Sequence, residues 1–316
     1  MFGATFLVVG GLFLLSVGAD RFVLAAARLS RVWGMSPILI GALVVGMGTS
    51  APEFLVSVVA AAGGGLDLAV GNIIGSNVAN LSLVLGATAM VAPISGQIPT
   101  LRREGVLMLV AVGLFAGLAW DQSLTTTDGI LLLVGMVAAA ALLIRWARRD
   151  AGRSGTMSSG LDEMTYDQGR PNARLELIVG TAALAATLVG ADLLVRGAKG
   201  VAEELGLSEG FVGLTLVALG TSLPELATAL AAARRREHDL VVGNLLGSNL
   251  FNSLAVAGGA AVLGGNVLAS SFSSGLIFML AIAAFAGILT TTGNRLVRWE
   301  GFGLLAVYAA FVITSF

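Results

Sequence analysis

The chain has no cysteine, a single histidine and very little charge, and each scarcity removes a class of chemistry. Without cysteine there is no disulfide framework and no thiolate metal site. The lone His238 leaves no histidine-based zinc centre and no catalytic triad to pursue. Charged residues make up 12% of the chain, against about 25% in a soluble protein. Hydrophobic residues reach 56% and mean hydropathy is +0.92. The net charge of −1 says nothing about partners, because charge in a membrane protein matters by location. No nucleic-acid contact is expected, and a lipid bilayer is.

What is present is a succession of apolar runs near the ~20 residues needed to cross a bilayer. Ten spans fit, at about 3–26, 36–62, 68–92, 103–120, 124–146, 175–198, 208–233, 239–264, 270–291 and 299–316. No basic residue precedes the first run, so it reads as a span and not as a cleaved signal. The longest polar connection, Arg148–Arg174, is rich in glycine and serine and reads as a flexible cytoplasmic linker. It divides the chain into residues 1–147 and 175–316, five spans each.

The two halves share sequence at a fixed offset of 172. Gly48-Thr49-Ser50-Ala51-Pro52-Glu53 returns as Gly220-Thr221-Ser222-Leu223-Pro224-Glu225. The run Gly71 to Asn80 (GNIIGSNVAN) returns as Gly243 to Asn252 (GNLLGSNLFN). Gly41–Gly86 and Gly213–Gly258 align without a gap and share 20 of 46 residues. Val17-Gly18-Ala19-Asp20 likewise matches Val189-Gly190-Ala191-Asp192. Five spans per half force the halves to face opposite ways. Fifteen of the 18 basic residues fall at one set of alternate loops, the exceptions being Arg21, Arg196 and Lys199. The positive-inside rule puts those loops in the cytoplasm and both termini outside. The expected fold is therefore all-α, a polytopic membrane protein of ten helices in two inverted-topology repeats. Such repeats are a hallmark of secondary transporters, whose sites lie near the midplane on interrupted helices.

A carboxylate in a membrane span is costly and needs a reason. Glu53 and Glu225 have no basic residue within the core segments to pair with, so a bound cation is the simplest reason. Thr49 and Ser50 lie one helical turn before Glu53, as Thr221 and Ser222 lie before Glu225. Pro52 and Pro224 lack an N–H and free carbonyl oxygens near positions 48 and 220. Asn72, Ser76 and Asn80 form a polar stripe, repeated by Asn244, Ser248 and Asn252. Gly71, Gly75, Gly243 and Gly247 allow a second helix to approach closely. The stripes set beside the glutamate turns make an all-oxygen cage, suited to Ca²⁺ with its 6–8 oxygen ligands. Two carboxylates neutralise one divalent ion, and several Na⁺ ions could use the same oxygens. Asn72, Asn77, Asn244 and Asn249 are as readily helix-packing groups as ligands. Asp20 and Asp192 read as structural residues near span ends, Asp192 pairing with Arg196. His238 reads as a loop residue.

On these residues the chain resembles the sodium/calcium exchanger branch of the cation/Ca²⁺ exchanger superfamily, over essentially its whole length. The motifs GTSAPE with GSNVAN, and GTSLPE with GSNLFN, carry the resemblance. It implies that Glu53 and Glu225 are the principal Ca²⁺ ligands and also serve Na⁺. Thr49 and Thr221 would contribute backbone carbonyls, and Ser50, Ser76, Ser222 and Ser248 would line Na⁺ positions. Asn80 and Asn252 would complete the centre, and the first and sixth spans would slide to switch access. No cofactor is implied, since Ca²⁺ and Na⁺ are cargo. In potassium-dependent relatives an acid stands at the place of Asn80 or Asn252, so asparagine at both favours K⁺-independent exchange. A Ca²⁺/H⁺ antiporter of the same fold is the alternative. An intramembrane protease is disfavoured, with no HExxH or GxGD element, and a passive channel is disfavoured by the duplicated site. Arg148–Arg174 is too short for a calcium-sensing domain. Because both halves of the site come from one chain, a functional monomer is expected.

Overall fold

A computed structural model describes residues 2–95, 98–153, 172–204, 218–268, 272–292 and 295–315. It is overwhelmingly helical. The first half runs through α1 (Phe2–Trp33), α2 (Pro37–Ile40), the π-helix π1 (Gly41–Gly46), α3 (Met47–Thr49) and α4 (Ala51–Ala62). It continues with α5 (Leu66–Ala79), the π-helix π2 (Asn80–Val84), α6 (Leu85–Val91), α7 (Ile98–Leu118) and α8 (Thr126–Arg153). The second half comprises α9 (Ala173–Glu204), α10 (Ala218–Thr221), α11 (Leu223–Arg234), α12 (His238–Phe251), π3 (Asn252–Val256), α13 (Ala257–Gly264), α14 (Ser273–Thr292) and α15 (Arg298–Ser315).

Among the described residues, five helices are long and apolar enough to cross a membrane. A sixth candidate is the pair Pro37–Thr49 and Ala51–Ala62, bent by 46° at Ser50. Two expectations change. Helix α8 continues through Arg153 into the connection expected to be a linker, because the periodic apolar face passes unbroken into Trp146 and Ala147. His238 is the first residue of α12 and not part of a loop. The rest of the linker, 154–171, and the start of the expected seventh span, 208–217, lie outside the described residues.

The 172-residue offset seen in the sequence governs the backbone. Helices α4, α5 and π2, shifted by 172, coincide with the limits of α11, α12 and π3. Each glutamate helix begins after a serine cap with Pro at its second position, where a missing N–H costs nothing. Each ends in a left-handed residue, Gly64 at φ +85° and Arg236 at φ +60°. That conformation is easy for glycine and uncommon for arginine.

Four two-residue strands tie the ends of the halves together. Strand β1 (Ile94–Ser95) pairs antiparallel with β4 (Arg295–Leu296), and β2 (Ser123–Leu124) with β3 (Asn266–Val267). The register pairs Ile94 with Leu296 and Leu124 with Asn266. A shift of 172 carries one ladder onto the other, residue for residue. The halves are therefore related by an exchange of partners.

Two glycine-lined crossings bring the halves together. The most extensive helix contact is α1 against α9. A Cβ on Gly18 would lie 2.7 Å from the backbone N of Thr187, and one on Gly11 2.6 Å from that of Leu194. Helix α12 packs on π1 in the same way: a Cβ on Gly243 would meet the carbonyl of Ile38, and one on Gly247 the carbonyl of Ala42. Only hydrogen in place of a side chain permits such approach. For Gly71 and Gly75, the segment placed by the same relation, 213–218, is described only at Ala218.

Candidate cation site

The Ser50 break turns the α3–α4 segment so that Thr49, Ser50 and Glu53 stand at the junction of the halves. Thr49 and Ser50 are fully buried and Glu53 is 1% exposed. Ser222 and Glu225 occupy the equivalent turn, with Thr221 nearby at 8%. Helix α12 and π3 bring Ser248 and Asn252, and α5 and π2 bring Ser76 and Asn80; all four are buried. All ten residues singled out from the sequence are therefore buried.

The hydrogen bonds link the halves directly. Ser50 Oγ donates to Glu225 Oε1 at 2.7 Å. Thr49 Oγ1 donates to the carbonyls of Val45 at 3.0 Å and Gly46 at 3.3 Å, and reaches Asn244 Oδ1 at 3.4 Å. Ser248 Oγ donates to the Gly46 carbonyl at 3.2 Å. These carbonyls belong to π1, whose wider i→i+5 winding leaves backbone oxygen available to side chains. Glu53 and Glu225 are close enough for their charges to interact.

Among the described residues, many buried polar atoms of these motifs have no hydrogen-bond partner. Both carboxylate oxygens of Glu53, Oε2 of Glu225, the hydroxyls of Ser76 and Ser222, and both side-chain polar atoms of Asn80 and Asn252 are buried without a hydrogen bond. A buried polar atom left unpaired costs about 1–3 kcal/mol, and a charged one more. Burying so many without partners is unfavourable unless a ligand completes them. The donor set is oxygen alone. Among the described residues no group of three or more His, Cys, Asp or Glu is present. The charge at the centre is therefore that of two carboxylates, which suits a hard cation.

The asparagines divide. Asn72 Nδ2 donates to Ser57 Oγ at 3.0 Å, and Asn244 Nδ2 to Thr228 Oγ1 at 3.3 Å. Asn77 Nδ2 donates to Ser253 Oγ at 3.0 Å, and Asn249 Nδ2 to the Leu245 carbonyl at 2.7 Å. Asn72, Asn77 and Asn244 tie one helix to another and Asn249 bonds within its own, whereas among the described residues the side chains of Asn80 and Asn252 make no hydrogen bond. The stripe read at i, i+4, i+8 thus splits, because Asn72 and Asn244 hold the glutamate helices while the π-turns begin at Asn80 and Asn252.

Asp192 pairs with Arg196 at 2.8 Å, as its spacing indicates. Asp20 instead makes a two-pronged pair with Arg235, at 2.8 and 2.6 Å. Arg31–Glu237 and Arg28–Glu176 extend this network along α1. Sequence reasoning missed it, because Asp20 and Arg235 lie 215 residues apart and no short-range pattern joins them.

Comparison with known proteins identifies the family. The sodium/calcium exchanger protein family matches residues 3–145 and 176–316. The inner membrane protein YrbG of Escherichia coli is 39% identical over 90% of this chain and 88% of its own length. The sodium/calcium exchanger MaX1 of Methanosarcina acetivorans is 30% identical over 97% of this chain and 96% of its own. The solved structure of the sodium-calcium exchanger NCX_Mj, soaked with Na⁺ and Ca²⁺, superposes with a TM-score of 0.84 at 30% identity. That match covers 98% of this chain and 97% of the other. By motif, by length and by fold, the chain belongs to the sodium/calcium exchanger family, membrane transporters for which the cation is cargo.

Proposed function

We propose that the chain exchanges Na⁺ for Ca²⁺ across the cell membrane by alternating access. The single observation that carries this reading is the convergence of Glu53 and Glu225, from equivalent turns of the two halves, with unpartnered buried oxygens. Glu53 and Glu225 hold Ca²⁺ and also serve Na⁺. Thr49 and Thr221 lend backbone carbonyls, and Ser50, Ser76, Ser222 and Ser248 line the Na⁺ positions beside Asn80 and Asn252. Similarity to MaX1 and NCX_Mj, both described as sodium-calcium exchangers, supports the choice of ions.

In this reading ten spans form two inverted halves with both termini outside, and one chain is a working unit. The strand pairings support it, since loops that hydrogen-bond to each other lie on one side of the membrane. The α1–α9 pair is the sliding element. Three Na⁺ against one Ca²⁺ would carry one net charge per cycle. With asparagine at positions 80 and 252, K⁺ is not required.

The test is radioactive Ca²⁺ uptake into Na⁺-loaded proteoliposomes diluted into Na⁺-free buffer, with Glu53→Gln alongside. Uptake that needs the Na⁺ gradient, survives a proton ionophore and vanishes in the variant is expected. Uptake that follows a pH gradient and ignores Na⁺ would replace this reading with Ca²⁺/H⁺ antiport. Uptake without any counter-ion would indicate a channel.

A further inference from the structure

Away from the ion site, a cavity of about 350 Å³ lies where the two halves meet near the β1–β4 ladder. Leu85, Ile94, Gly105, Leu109, Leu245 and Gly287 are among its walls, and every lining residue is apolar or glycine. Val106 and Ile288, also lining it, are each 57% exposed on the outer surface. The cavity therefore opens sideways, and in a membrane protein that side is hydrocarbon.

Two of its walls are glycines at which a side chain would find room. A Cβ on Gly105 would meet nothing within 4 Å, and one on Gly287 only Leu109 Cδ1 at 3.7 Å. This differs from Gly243 and Gly247, where a neighbouring backbone excludes any side chain. The internal repeat provides the comparison. At the position equivalent to Gly287 stands Phe115, fully buried, and at that of Val106 stands Phe278, its ring 4.9 Å from Phe311. At the equivalent junction these two positions carry aromatic rings, whereas here they are glycine and valine.

We infer that the cavity is a binding site for one acyl chain of a phospholipid from the leaflet on the arginine-rich side. Wall chemistry selects hydrocarbon, because an apolar cavity offers water no partners. The ends of the surrounding segments select a headgroup. Ile94 pairs with Leu296, and two residues on, Arg298 is exposed with no ion pair among the described residues. A cation two residues beyond the strand partner of a wall residue matches a lipid phosphate above its tail. Leu81 of π2 and Leu245 of α12 also line the cavity, so an occupant sits one residue from Asn80 and from Asn244.

The experiment uses the whole chain, reconstituted in phosphatidylglycerol vesicles doped with a phospholipid carrying a diazirine in its acyl chain. After illumination, adducts are expected on peptides containing Leu85, Leu109 and Leu245. The variant Gly105→Ile with Gly287→Phe, copying the repeat-equivalent residues Ile277 and Phe115, should lower those adducts about tenfold. Adducts on the lipid-facing Val134 and Val137 of α8 should be unchanged. Gly287→Ala alone, a milder change, should lower them partially. Cavity adducts at equal yield in every variant, or wild-type adducts confined to α8, would overturn the inference. A free fatty acid bearing the same diazirine separates the sources. Cavity labelling by the fatty acid but not by the phospholipid would also overturn it.

Discussion

The hydroxyl of Ser50 donates to Glu225 across the junction of the halves at 2.7 Å, while among the described residues the hydroxyl of its repeat equivalent, Ser222, makes no hydrogen bond and the Glu53 carboxylate has no partner. One carboxylate thus has a hydroxyl on one of its oxygens, and the other has none among the described residues. This asymmetry has a measurable consequence. In ion-free buffer, Ser50→Ala should cost about 1.5–3 kcal/mol, the worth of a hydrogen bond to a charged group. Ser222→Ala should change stability by under ~0.5 kcal/mol. Thermal unfolding of the two variants side by side tests this, and equal losses would contradict it.

Calcium should stabilise the wild type through its carboxylates. At a Ca²⁺ concentration about a hundredfold above the dissociation constant, linkage gives roughly 2.7 kcal/mol. Glu53→Gln and Glu225→Gln should lose that gain, lose exchange, and remain folded. Without ions Glu53→Gln should match or exceed wild type in stability, since a neutral amide is easier to bury than an unpaired carboxylate, whereas Glu225→Gln gives back part of that gain by weakening its bond from Ser50. Melting curves with and without Ca²⁺ give the answer.

Glycine contacts differ in what they tolerate. Gly247→Ala drives a methyl into the Ala42 carbonyl, and should cost about 1–3 kcal/mol by overpacking. Gly10→Ala meets nothing within 4 Å, and should gain about 0.5–1 kcal/mol from reduced backbone freedom. Unfolding of both variants in one detergent would separate them.

The Asp20–Arg235 pair is partly exposed, at 46% and 26% of the side chains. A double-mutant cycle with Asp20→Asn and Arg235→Gln should give a coupling near the top of the exposed range, about 1 kcal/mol. Coupling indistinguishable from zero would show that the contact is not maintained in the membrane.

The strand ladders can be examined by chemistry, because the chain has no cysteine of its own. Ser123→Cys with Val267→Cys places thiols on Cα partners of an antiparallel pair, a separation that a disulfide can span. Oxidation should cross-link them. An impermeant maleimide should label Ser123→Cys from outside the cell and Ser95→Cys only after permeabilisation. Labelling of both from one side would refute the proposed topology.

Much of this was legible in the sequence because a membrane makes polar residues conspicuous. Glu53, Ser76 and Asn80 stand out against apolar surroundings, and their repeats mark the other half. Helix limits followed from apolar runs ended by glycine or arginine clusters. The π-turns at Asn80 and Asn252 were not legible, since one extra residue per turn leaves hydropathy unchanged. Nor was the inequality of Ser50 and Ser222, because identical motifs carry no record of which hydroxyl finds a carboxylate. The Asp20–Arg235 pair was hidden by its separation, and Asp20 read as an ordinary residue near a span end.

The partner exchange of the four short strands bears on ancestry. Each ladder joins a strand of one half to the non-equivalent strand of the other, and both use the same register. A polypeptide of half this length, meeting a second copy of itself, would already close both ladders. Gene duplication and fusion would then have preserved edges that two separate molecules once shared, and only afterwards could Gly287 and Phe115 drift apart.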